Sequence, residues 1–285
     1  MNRIKLFLII ICILFISFGC SKKTKEKEIP RIDDLEIDST EVYESKNGTA
    51  DKIEGKTVII SIYANDELVK WNYNLENDNL KIDDTLNNLK IATEYLTSEV
   101  AKYNKKAEFI YDWQLFSDLK YEATFKDNIV DNYDSKYDVQ SEWIINNIDI
   151  VNIKKKYNAD NIIFMYFFNT NDTNTAITST YNLGIDIVNI FPENKNYTIP
   201  PATYAHELLH AFGAHDLYFA NAYITQEYVD YCMENTPSDI MASVYYGDEI
   251  TNTFSALDAY YVGLIDSHAD IEKWHLGISE HIDNY

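Results

Sequence analysis

Tyr204-Ala205-His206-Glu207-Leu208-Leu209-His210-Ala211-Phe212-Gly213-Ala214-His215-Asp216-Leu217-Tyr218 is the stretch from which the rest of the chain can be read. Residues four apart on a helix lie one turn above each other on one face, so His206 and His210 can aim two imidazole nitrogens at a single point. Zinc binds neutral imidazole at about 2.0–2.1 Å and wants four ligands in a tetrahedron. Glu207 falls on a neighbouring edge of the same helix, beside a metal-bound water rather than on the metal, which is where a general base belongs. A third protein ligand is required, and a helix running straight on past His210 would carry later residues away. Gly213 offers the way out, because glycine accepts the left-handed conformation that ends helices. The chain can then return beneath the metal and present Asp216, whose carboxylate is a zinc ligand. His215 competes for that place one residue earlier, and Glu227 and Glu234 are more remote carboxylates that could take it.

His206, Glu207, His210, Gly213 and Asp216 together resemble the H-E-x-x-H-x-x-G-x-x-H/D signature of metzincin zinc peptidases. The aspartate form is similar to snapalysin-like and immune-inhibitor-A-like enzymes. A second metzincin mark, a tight turn with a methionine beneath the metal, is similar to Asp239-Ile240-Met241-Ala242-Ser243. Several metzincins place a tyrosine two residues after that methionine, whereas this chain has Ser243; Tyr245 or Tyr246 would then stabilise the oxyanion. The resemblance covers roughly Pro200 to Ile265. It implies a mixed α/β (α+β) zincin fold: a twisted mixed sheet with covering helices, an active-site helix and a smaller, mainly helical C-terminal part. It also implies an edge strand before the metal helix that pairs with the substrate backbone.

Moving outward, Pro200 and Pro201 suit a helix start, where a missing N–H costs nothing. The helix is predicted from about Pro201 to Phe212, with Leu208, Leu209 and Phe212 anchoring it to a sheet. Thr225–Glu234 and Phe254–Ile265 read as further helices, and His268, His275 and His281 are too spread to form a cluster. Upstream, the β-branched run Thr57–Tyr63 reads as a central strand. Apolar residues at helical spacing follow in Leu80–Tyr103 and Val139–Tyr157, with strands at Glu108–Tyr111 and Ile162–Phe168. Strand, helix, strand, helix, strand predicts a largely parallel sheet covered by helices. Thr178–Ile190 alternates weakly and reads as an edge strand. Asn171 and Asp172 in the polar loop before it could hold Ca²⁺, although that loop lacks the glycine and final glutamate of a calcium loop.

The N-terminus reads as a targeting segment. Arg3 and Lys5 precede an apolar core, Leu6–Phe18, too short for an ordinary membrane span of about 20 residues. Ser17-Phe18-Gly19-Cys20 resembles a bacterial lipoprotein lipobox, which implies cleavage after residue 19 and acylation of Cys20. Residues 20–55, lysine-rich and then acidic with few apolar side chains, read as a solvated stalk. The catalytic domain is placed at 56–285, in two parts, about 56–213 and 214–285. With Cys12 removed and Cys20 acylated, Cys232 has no intrachain partner.

The formal charge of −22 would repel nucleic-acid phosphates. The expectation is an exported, lipid-anchored, monomeric zinc endopeptidase acting on protein or peptide substrates. The alternative is a surface binding or adhesion lipoprotein with a structural zinc, for which Glu207 would be unnecessary.

Overall fold

The structure, a computed structural model, describes residues 48–126, 128–129, 136–170, 178–194 and 197–277. The targeting segment, Cys20, most of the stalk, Asn171, Asp172 and His281 lie outside the described residues.

The organising strand is β1, Gly55–Asn65. Every side chain from Thr57 to Ala64 is buried, as expected of a β-branched strand covered on both faces. It pairs in parallel with β2 (Ala107–Ile110) along its first residues and with β3 (Lys120–Thr124) along its last. On its other side it pairs in parallel with β4, Asn161–Phe168, also buried throughout. Beyond β4 lies β6 (Ile185–Ile190), parallel, and at the edge β5 (Thr178–Asn182), antiparallel to β6. The sheet order is therefore β2-β1-β4-β6-β5, with β3 continuing the β2 side of β1. A small hairpin, β7 (Glu193–Asn194) and β8 (Tyr197–Thr198), follows.

Seven α-helices lie among the described residues. Parallel neighbours require crossovers: α1 (Glu76–Ala101) joins β1 to β2, while α2 (Lys136–Asn147) and α3 (Ile150–Tyr157) lie between β3 and β4. Alternation along the strands sends side chains to two cores. On one face Ile59, Tyr63, Met165, Phe167 and Val188 meet α1 and the helix α4, Pro201–Ala211. On the other, Val58, Ile60, Phe164 and Ile187 meet Ile144 of α2 and Ile153 of α3. Three aromatic rings carry the first core from sheet to helix: Tyr63 stacks on Phe167 at 5.3 Å, and Phe167 faces Tyr204 of α4 at 6.2 Å. The C-terminal part adds α5 (Gln226–Asn235), α6 (Ala256–Tyr261) and α7 (Ala269–Trp274). No helix among the described residues is long and apolar enough to cross a membrane.

The structure revises several expected boundaries. Val139–Tyr157 is two helices, because Asp149 accepts from the Asn152 N–H and starts a new N-terminus. Thr178–Ile190 is a hairpin, and only its first arm is the edge; β6 is wholly buried. Folded structure also begins before residue 56. Asp186 accepts from the Ala50 N–H at 2.7 Å and the Thr49 hydroxyl at 3.2 Å, and Asn161 brackets Asp51 and Lys52. Ala50 and Ile53 are buried, so residues 48–54 belong to the domain and not to the stalk.

Candidate metal centre

Helix α4 begins with Pro200 in extended conformation as its cap and Pro201 as its first residue. Its end is built on Gly213, whose φ is +96°. The Gly213 N–H donates to His210 O at 2.8 Å, and the Ala214 N–H reaches back to Leu209 O at 3.0 Å. This is the paired Schellman closure, with Gly213 at C′, and a side chain there would be strained. The turn has two consequences. It points the Ala214 carbonyl at His210, which bonds it through Nδ1 at 2.7 Å. It also reverses the chain, so that Asp216 comes back to the face that carries the histidines.

His206 is fixed from a different element. Its Nδ1 meets the Ile240 carbonyl at 2.9 Å, from the turn Asp239–Ser243. That turn is tied to the ligand loop, because the Leu217 N–H donates to Met241 O at 2.9 Å. It is braced internally as well, with the Met241 N–H donating to Asp239 Oδ1 at 2.8 Å. Met241 is completely buried.

A carbonyl can only accept, so each Nδ1 carries the hydrogen and each Nε2 is left with a free lone pair for a metal ion. The two Nε2 atoms are 3.1 Å apart, and they lie 3.1 and 3.2 Å from Asp216 Oδ1. Three lone-pair atoms from His206, His210 and Asp216 thus converge with no donor between them, and Asp216 Oδ1 is buried without a hydrogen-bond partner. Like-polarity groups at such separations need a cation or extra protons. This trio could hold a metal ion.

Without a cation, protons occupy the site. Burial works against a charged His210, but its bond to Asp216 and the charges of Glu207 and Asp216 outweigh this and raise its pKa to about 9. Burial would push Asp216 up, yet the two imidazoles hold it well below the usual carboxylate range. Glu207 is buried next to the trio, and its Oε2 has no hydrogen-bond partner. Desolvation raises its pKa, against the opposing pull of His206 and His210.

The other sequence candidates go elsewhere. His215 is buried between rings, stacked on Tyr223 at 4.4 Å and edge-on to Tyr261 at 4.7 Å. Glu227 and Glu234 are exposed on α5. Cys232 is a buried free thiol. The Tyr245 hydroxyl donates to Pro237 O, and Tyr246 is 77 % exposed with its ring against Tyr197. Among the described residues, Tyr218 packs beside the ligands; its spacing had given it no role. Its ring stacks on His206 at 6.3 Å, and burial, then the nearby Asp216 carboxylate, raise the pKa of its hydroxyl. The available signal was its position two residues after Asp216, close enough for one turn to deliver both. No protein-family model and no curated protein matches the chain.

Two outcomes follow from this geometry. Replacing Asp216 by Ala abolishes stoichiometric metal binding, whereas His215→Ala destabilises the fold but keeps the metal; metal analysis of the two purified variants distinguishes them, and the reverse result would move the ligand to His215. Separately, metal must displace the proton that His210 holds below about pH 9. Affinity should therefore rise about tenfold per pH unit from pH 7 toward 9 and flatten above it. Calorimetry in buffers of different ionisation heat should record at least one proton released at pH 7, and zero release would contradict the assignment.

Proposed function

We propose that this chain is a metzincin-like zinc endopeptidase, exported and tethered through an acylated Cys20. The observation that carries the reading is the convergence of His206 Nε2, His210 Nε2 and Asp216 Oδ1 with Glu207 buried beside them. A tetrahedral zinc at 2.0–2.1 Å needs donor atoms about 3.3 Å apart, and the three here are separated by 3.1 to 3.2 Å. Imidazole and carboxylate donors suit that ion, and each imidazole has the outer carbonyl partner that zinc-bound histidines favour. Support for the metzincin-like assignment comes from Gly213 as the turn of the motif and from the methionine turn bonded to both His206 and the ligand loop.

Zinc in this seat would supply Lewis acidity toward a peptide carbonyl and lower the pKa of a bound water to about 7. The chain's own residues do the rest. Glu207, with its pKa raised by burial, takes a proton from water and delivers it to the departing amine. Asp216 and the two imidazoles keep fixed positions because the Ile240 and Ala214 carbonyls and the Gly213 turn hold them. Tyr218, half exposed beside His206, presents a hydroxyl on the ligand side of the site. Helix α4, which carries both histidines, packs beside β5 and β6. The outer edge of β5 offers backbone groups to which a substrate can add as an extended strand.

The test is Glu207→Gln in the full chain. Peptide hydrolysis should fall by about 10²–10⁴-fold while zinc stays near one per chain. Unchanged hydrolysis would refute the role given to Glu207, and absence of hydrolysis in the zinc-loaded parent would leave the metal as a structural one.

A further inference from the structure

Beneath the Met241 turn lie two aspartates from different elements, each only 1 % exposed: Asp239, which opens the turn, and Asp258, in the first turn of α6. Their hydrogen bonds are incomplete in a specific way. Asp239 Oδ1 accepts from the Met241 N–H at 2.8 Å, but Asp239 Oδ2 is buried with no donor. Asp258 Oδ2 accepts from the Ser255 N–H at 2.8 Å, and its carboxyl lies close enough to Asp239 for the two to interact directly. The Ser255 hydroxyl accepts from the Asp258 N–H at 3.1 Å and lies near both groups. The titratable groups facing the pair are Tyr95 and Tyr103 from α1 and Cys232 from α5, none of them basic. Lys102 is committed to Glu99. Two ionised carboxylates in contact, out of water and without a cation, are strongly unfavourable, and the usual resolution is one proton held between them. Burial acts in that direction on both, and on Asp258 it is reinforced by the neighbouring charge of Asp239.

We propose that Asp239 and Asp258 share one proton, and that this bridge holds the Asp239–Ser243 turn where Ile240 O meets His206 and Met241 O meets the Asp216 loop. The two aspartates are then positioning residues. That half of the proposal rests on the metal-centre reading; the shared proton does not.

The sign of the linkage is fixed. In the unfolded chain both aspartates ionise near pH 3.9, while the folded pair keeps a proton well above that. The contribution to stability is therefore full below about pH 4 and is lost as pH rises toward the pair's own titration. Asparagine at position 258 supplies the bridging donor without a titratable proton. In the full chain at fixed free zinc, the folding equilibrium constant of Asp258→Asn relative to the parent should rise with pH above about pH 4, by at most about tenfold per pH unit, as read by urea unfolding. Asp239→Asn should show the same slope. A ratio independent of pH in both variants would overturn the shared proton. For positioning, Asp258→Asn should keep the parent's zinc affinity within about threefold, whereas Asp258→Leu, which offers no bridge, should lose about 10- to 100-fold. Equal affinity in the Asn and Leu variants would overturn the positioning role, and if the Leu variant does not fold, the Asn slopes still decide the proton. A parent chain that binds no zinc at pH 7 would overturn the positioning half together with the metal centre, while the slopes would still report on the proton.

Discussion

The constraint on which the site depends is a single backbone turn. Helix α4 has to stop immediately after His210 and reverse, and Gly213 at φ +96° permits the paired closing bonds that make it do so. The same turn supplies the Ala214 carbonyl that orients His210 and brings Asp216 to the two imidazoles. Ligand, outer partner and chain direction are thus set together. A β-branched or bulky residue at position 213 would force a choice between its own steric strain and the convergence of the ligands.

The rest of the fold keeps that turn in place. Helix α4 is clamped from below by the first core, in which Phe167 of β4 sits between Tyr63 and Tyr204. It is also steadied at its start, where Asn88 of α1 donates to Ile199 O at 3.1 Å. From the other side the Asp239–Ser243 turn reaches His206 through one carbonyl and the Asp216 loop through the next. Asn252 staples that turn by donating to Ser238 O and Ser243 O and accepting from the Tyr245 N–H. Polar groups therefore fix the ligands from two directions, while apolar packing fixes the helix that carries them.

Much of this could be read from residue spacing. The strands β1 and β4 announced themselves as unbroken apolar runs, α1 as a helical periodicity, and α4 as a histidine motif bounded by Pro200-Pro201 and Gly213. Local chemistry carries such features, so sequence exposes them. Features that depend on tertiary partners were less legible. Lys120–Thr124 has no strong strand pattern and becomes β3 because the far end of β1 has an unpaired edge to fill. The arm Ile185–Ile190 looked like part of an edge because Asp186 and Asn189 interrupt its apolar run. Both are buried, one bound to the Thr49–Ala50 segment and the other to Gln140. Tyr218 received no role because its position two residues after Asp216 places it near the site without showing the ring stack with His206. His215 and Asp216 were separable in sequence only by position; the structure separates them physically, since the slot between Tyr223 and Tyr261 takes the flat ring and leaves the carboxylate to turn inward.

The central claim is that two imidazoles and one carboxylate from a single helix-turn segment make a metal seat. X-ray absorption at the zinc edge of the zinc-loaded chain tests it most directly. The account predicts one zinc with a first shell of nitrogen and oxygen at about 2.0–2.1 Å, the outer-shell scattering of two imidazoles and no sulfur. A third imidazole, a sulfur neighbour or a single histidine would contradict it.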